Sequence, residues 1–125
     1  GKSIRDYLFV EDHCHAIDAI LHSGKAGETY CVGGGAEKNG IEIADAILAA
    51  VPETKSTKKF VKDRPGHDLR YAIDYSKLKR ELNYEPSVSF EEGLRKTVQW
   101  YKDNPEWWEP IMQNLYIPDF LKEKN

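Results

Sequence analysis

The stretch "IRDYLFVEDHCHAIDAILHSG" (4–24) decides the fold class. Its first seven residues are β-branched, aromatic or apolar apart from Arg5 and Asp6, and they predict a strand over 4–10. The rest places Ala16, Ile17, Ile20 and Leu21 at helical spacing, with Asp12 as N-cap and Gly24 as stop. A strand running straight into a helix opens an α/β unit. Further along, "GETYCVGGG" (27–35) predicts a second strand ending in glycines. "NGIEIADAILAAV" (39–51) predicts a helix with Ile41, Ala44, Ile47, Leu48 and Val51 on one stripe. Asn39 and Glu42 stand three apart, as in a capping box with Asn in place of Ser or Thr.

"KKFVK" (58–62) predicts a short strand and "YSKLKRELNY" (75–84) a short amphipathic helix. "SFEEGLRKTVQWYKDN" (89–104) predicts a longer helix capped by Ser89, with Phe90, Leu94, Thr97, Val98 and Tyr101 on its buried face. Trp107 and Trp108 then open an apolar stretch interrupted by proline. The order β-α-β-α-β-(β)-α-α means an α/β architecture. Its strands are too few for a complete doubly wound sheet, and "GKSIRDYLFV" enters a strand almost at once, so the expectation is a segment of a longer protein.

Composition bounds the function. The 125 residues suit one domain, 40% are hydrophobic and 31% charged, which fits a globular chain and not a disordered one. A formal charge of -3 gives no basic bias, so nucleic acid is not an expected partner. No apolar run approaches the roughly 18 residues of a membrane helix. Cys14 and Cys31 are too few for a disulfide framework, and the expected setting is reduced and cytoplasmic.

Several motifs imitate active sites. Gly33 and Gly35 fit the start of a G-x-G-x-x-G dinucleotide fingerprint, but Lys38 stands at its last position, so a tight turn is the favoured reading. Tyr75 and Lys79 have the Tyr-x-x-x-Lys spacing of a phenol activated by an ammonium, yet they open what reads as an ordinary surface helix. His13 and His15 are two apart on a helix and face different ways, so no metal site is expected. The cations are different. "DRPGHDLRYAID" (63–74) sets Arg64 and His67 around a Pro65-Gly66 turn, and Arg5 opens the first strand. An arginine fork suits phosphate oxygens, and two of them match the charge of a diphosphate. The competing reading pairs Arg64 with Asp63 or Asp68 to brace a loop.

"IRDYLFVEDH", "GETYCVGG", "DRPGHDLRYAID" and "FEEGLRKTVQWYKDNPEWW" together resemble the dTDP-glucose 4,6-dehydratase family of extended short-chain dehydrogenases/reductases. The resemblance covers residues 1 to about 112; residues 113–125 are a C-terminal tail outside it. It implies the C-terminal, nucleotide-sugar-binding part of an enzyme that oxidises its sugar at C4, eliminates water across C5–C6 and returns the hydride to C6. The family's NAD, its Tyr-x-x-x-Lys pair and its acid/base carboxylates belong to an N-terminal Rossmann domain, so this chain is expected to hold neither cofactor nor catalytic residue. By position, Arg5 and Arg64 would contact the diphosphate of a dTDP-sugar, with His67 beside them. The family's Asn before the second helix falls on Gly40, leaving Asn39 one place earlier as a substitute ligand or simply as a helix cap. Tyr7 replaces the usual Trp and Cys31 the usual Asn. Residues 4–32 are expected to pack with the Rossmann domain and not with the rest of the substrate domain, which makes the isolated chain marginally stable or oligomeric. Two alternatives remain: the same segment of another NAD-dependent nucleotide-sugar dehydratase, epimerase or decarboxylase, and a non-catalytic interaction module.

Overall fold

A computed structural model of the chain describes residues 1–113, so all but the first residue of the expected tail lies outside the described residues. Strands β1 (Ile4–Tyr7) and β2 (Ala36–Asn39) form an antiparallel ladder that pairs Ile4 with Asn39 and Arg5 with Lys38. Helices α1 (Val10–Ser23), α2 (Gly40–Ala50), α3 (Ser76–Leu82), α4 (Phe90–Asp103) and α5 (Pro105–Gln113) complete the order. On the other side of β1 the 69–71 segment runs parallel: the Ile4 amide donates to the Leu69 carbonyl at 2.7 Å and the Tyr71 amide to the Ile4 carbonyl at 3.0 Å.

The α/β class stands, while several elements differ from expectation. β1 stops at Tyr7, and α1 is capped by Phe9 without a side-chain bond, not by Asp12. The 27–35 and 58–62 stretches are not strands. A strand needs a ladder partner, and among the described residues neither stretch has one; Phe60 and Val61 are largely exposed. The second strand forms one step later, at 36–39, because Asp6 draws the chain in: its carboxylate accepts from the Gly34 amide at 3.0 Å and the Ala36 amide at 2.9 Å. The glycines make this approach possible, since a Cβ on Gly34 would stand 2.1 Å from the Tyr7 carbonyl oxygen. The triple glycine is therefore a tight turn, leading into a strand and not a helix.

The Asn39–Glu42 capping box is present, with the Asn39 side chain accepting from the Ile41 and Glu42 amides. Ser89 caps α4 through the Glu92 amide. Of the face expected to be buried on α4, Thr97 and Tyr101 are exposed, and the residue that packs most closely is Gly93, against the Phe9 ring. The proline-interrupted stretch after Asn104 is helical despite Pro110; Pro105 at its first position suits a helix start.

The core is small. Ala16, Leu78 and Tyr84 are buried, with Ile20, Tyr30, Val32, Tyr75 and Leu82 packed around them. Among the described residues, one charge sits inside it. Asp12 is 2% exposed, and its carboxylate accepts from the Ser87 hydroxyl at 2.7 Å, the Ser87 amide at 3.1 Å and the Val88 amide at 3.0 Å. Burial pushes this carboxyl up, but the three hydrogen bonds and nearby His15 outweigh it and hold it below its ordinary value. Within this chain the inner face of α1 packs on α3 and on the 84–88 segment. Its outer face is bare, with Val10, Cys14, Ile17 and Leu21 exposed at i, i+4, i+7 and i+11.

Because the folded Asp12 carboxyl titrates below the ordinary 3.8, its stabilising effect is complete above that value and is lost as pH falls through the folded one. Asp12→Asn keeps the shape but loses the charge and one acceptor, and is expected to cost about 1–3 kcal/mol in urea unfolding at pH 7. Its deficit against the unaltered chain should shrink as both are taken into acid.

Candidate functional site

β1 and the 69–71 segment lie side by side, and period-2 alternation sorts their side chains to two faces. On one face Arg70 reaches across β1 to Glu37 with a two-pronged contact of 2.6 and 2.7 Å. That bond holds the Glu37 carboxyl below its usual range and the Arg70 guanidinium above its own. On the other face Arg5 meets His67 and Tyr71.

Arg5 is gripped by groups that carry no negative charge. Nη1 donates to the Ile4 carbonyl at 2.6 Å and the Asp68 carbonyl at 3.3 Å. Nη2 donates to the Asp68 carbonyl at 3.2 Å and contacts His67 Nε2 at 3.0 Å. The guanidinium stacks 4.3 Å above the centre of the Tyr71 ring. Arginine has no lone pair to offer, so Nε2 must be the acceptor, and the imidazole proton sits on Nδ1. Nδ1 in turn lies 2.7 Å from Asp63 Oδ1 and 3.4 Å from the Ser3 hydroxyl. The bond from His67 first, then the Arg64 amide, outweigh burial and hold the Asp63 carboxyl below its usual range.

Arg64 follows Asp63 in the same loop, but its guanidinium pairs with neither carboxylate that flanked it in sequence. Asp63 is engaged by His67 and by the Arg64 backbone amide at 2.8 Å, and Asp68 takes the Tyr71 hydroxyl. The bond to Asp68 raises the Tyr71 pKa above its ordinary value, while the charges of Arg5 and Arg64 pull it the other way. Both guanidinium charges thus act on one phenol, Arg5 from direct stacking on its ring. Among the described residues neither has a carboxylate partner. Of the three expected site residues, Arg5 and His67 are in direct contact, and Arg64 enters through its backbone amide on Asp63 and the effect of its charge on Tyr71. Asn39 is engaged elsewhere, as the cap of α2.

Sequence reasoning missed Tyr71, Asp63 and the Asp68 carbonyl. The alternation in "LRYAI" carried a signal for Tyr71, since it sends Arg70 and Tyr71 to opposite faces; the backbone carbonyl carried none. The Tyr75–Lys79 pair is not a catalytic dyad here. The Lys79 ammonium bonds Glu85 at 2.6 Å, and the Tyr75 ring packs inward, edge-on to Tyr84.

A groove of about 1240 Å³ runs past Tyr7, the Gly34–Ala36 turn, Val88 and α4. It does not include Arg5 or His67, and shape without converging polar groups makes it the weaker candidate. The residues present do not fit a dinucleotide either. The amides that such a loop would turn toward a pyrophosphate, those of Gly34 and Ala36, are held by Asp6. Among the described residues no three His, Cys, Asp or Glu gather as for a metal, and no helix is long and apolar enough to cross a membrane.

The sequence model of the GDP-mannose 4,6 dehydratase family matches residues 1–97. The chain belongs to this family. It is 46% identical over 125 aligned positions to the dTDP-glucose 4,6-dehydratase of Xanthomonas campestris pv. campestris, covering 93% of this chain and 36% of that protein. Its backbone superposes on the dTDP-glucose 4,6-dehydratase of Bacillus anthracis, solved in complex with NAD, with a TM-score of 0.81 at 48% identity, covering 89% of this chain and 35% of that one. The Streptomyces venezuelae enzyme of the same name, solved with NAD and TYD bound, gives 0.83 at 44% identity, again over 89% of this chain and 34% of that one. The α/β fold is thus that of part of an extended short-chain dehydrogenase/reductase. The chain spans about a third of the length of the relatives it matches.

Proposed function

We propose that residues 1–112 are the C-terminal, nucleotide-sugar-binding part of a dTDP-glucose 4,6-dehydratase, the enzyme that converts dTDP-glucose to dTDP-4-keto-6-deoxy-glucose. The observation that carries this reading is the Arg5 guanidinium, stacked on Tyr71 and bonded to His67 with no carboxylate partner among the described residues, with the Arg64 charge acting on the same phenol. Two cations that both act on one phenol also repel each other, and an anion bearing two charges removes that cost. In this reading the diphosphate lies against Arg5 and Arg64, and His67 joins it. Asn39 keeps its carbonyl oxygen on the α2 cap and has only its amide hydrogens to offer.

NAD and the proton-transfer groups then belong to a Rossmann domain of the parent enzyme. That domain would cover the outer stripe of α1 and supply a ladder partner for residues 27–32, the stretch whose strand pattern goes unused here. The two thiols, both free and exposed, fit a reducing cytoplasm. A second reading, a UDP- or GDP-sugar enzyme, draws on the family model itself, and competition among dTDP-, UDP- and GDP-glucose separates the two.

Calorimetry with dTDP-glucose tests the site. The chain is expected to bind it with an affinity that falls as salt rises, and Arg64→Ala is expected to reduce binding tenfold or more, about 1.4 kcal/mol, for a charge-assisted contact. Undiminished binding by Arg64→Ala would remove the diphosphate from this site. Mixed with dTDP-glucose and NAD+, the chain alone should form no 4-keto product; measurable turnover would refute the division of labour. The bare α1 stripe is expected to drive self-association, so a concentration-dependent sedimentation coefficient should become that of a monomer in Leu21→Glu.

A further inference from the structure

All four Nη hydrogens of Arg5 are already occupied. The tip of the fork, Nη1 and Nη2 together, holds the Asp68 carbonyl; the outer hydrogen of Nη1 goes to the Ile4 carbonyl, and that of Nη2 to His67 Nε2. The two carbonyls are main chain, fixed beside the β1 ladder. His67 is the one acceptor that side-chain rotation alone can remove. An anion that bonds Arg5 edge-on, through Nε and Nη2, therefore has to take the place of His67 Nε2.

Displacement changes the chemistry of the imidazole. While Nε2 accepts from Arg5 it cannot carry a proton, because a second N–H would point at a donor that is itself cationic. Once released, Nε2 faces a negatively charged oxygen, and Nδ1–H still rests on the Asp63 carboxylate at 2.7 Å. Among the described residues the other charges around the ring are Arg5 from β1; Asp63, Arg64, Asp68 and the Tyr71 phenol from the 63–71 segment; and the amino group of Gly1, which acts on Asp63. Of these, Arg5 opposes a charged imidazole most directly, and the arriving anion neutralises it.

We propose that anion binding at this site is proton-coupled: a phosphoryl oxygen replaces His67 at Arg5 Nη2, and His67 takes up one proton from solvent on Nε2 and donates it to the same phosphate. The neutral imidazole is thus a placeholder that satisfies Arg5 in the empty site and becomes a cationic ligand in the filled one. This inference rests on the diphosphate reading above and specifies how that site is filled.

Two measurements test it. In the free chain, the imidazole nitrogens of His67, observed by long-range 1H–15N correlation at pH 7.5, are expected to show the Nδ1–H tautomer. Protonated Nε2 in the empty site would overturn the proposal whatever the affinity. Titration with dTDP-glucose, whose diphosphate does not itself titrate near neutrality, in buffers of different ionisation enthalpy should show uptake approaching one proton at pH 7.5. Affinity should rise about tenfold per unit of pH decrease where uptake is complete, the limit for one proton. His67→Gln, whose amide can both accept from Arg5 and donate to phosphate, should bind with no uptake. Binding without proton uptake, or equal uptake by His67→Gln, would refute the coupling and leave the diphosphate site standing. Absence of any binding would sink both.

Discussion

A carboxylate buried at the first turn of α1 ties that helix to the segment leading into α4. Asp12 and Ser87 are 75 residues apart, and the three hydrogen bonds that the carboxylate receives from Ser87 and Val88 join the β1–α1 unit to the start of α4. Among the described residues the surrounding core is Ala16, Leu78 and Tyr84, too little apolar area to fix the angle between these elements by itself. Hydrogen bonds to a charged group are directional and costly to leave unmade, so one such contact positions what a thin core cannot. The Phe9 ring against Gly93 depends on the same docking, since Phe9 lies three residues before Asp12.

From β1 the constraint passes to the site. Asp6 and Arg5 are neighbours on one strand and point to opposite faces. Asp6 gathers the glycine turn and so creates β2; Arg5 collects the 63–71 segment through the Asp68 carbonyl and the Tyr71 ring. A four-residue strand thus organises the sheet with one side chain and the cationic cluster with the next. The Arg70–Glu37 pair clamps the same segment from the opposite face, but it is exposed and exchanges with water, so it guides the register more than it stabilises the fold.

The cluster explains why a loop with so much charge holds its shape without internal ion pairs to both arginines. Its carboxylates are aimed away from the guanidinium groups, Asp63 at His67 and Asp68 at Tyr71. Arg5 is instead held by two carbonyls, an imidazole and an aromatic face. Such an arrangement keeps its positive charge in place without cancelling it, as the proposed anion site requires.

Much of this was legible in the residues themselves. Helical spacing located α1, α2, α3 and α4, and the Asn39–Glu42 box and the Ser89 cap are local devices that work within three residues. The planar fork of Arg5 suggested an anion ligand from residue chemistry and family likeness, and the fold sets it against His67. What lay beyond the sequence is what depends on distant partners. Residues 27–32 have a strand's pattern and no strand, because a ladder requires a neighbour that period-2 alternation cannot supply. Asp12 looked like a helix cap until Ser87 and Val88 were brought against it. Tyr71 became the platform for Arg5 only because the 69–71 segment runs parallel to β1. Local structure follows from bonds between near neighbours along the chain; the site is made by contacts across 60 residues and more, and only folding decides which of those form.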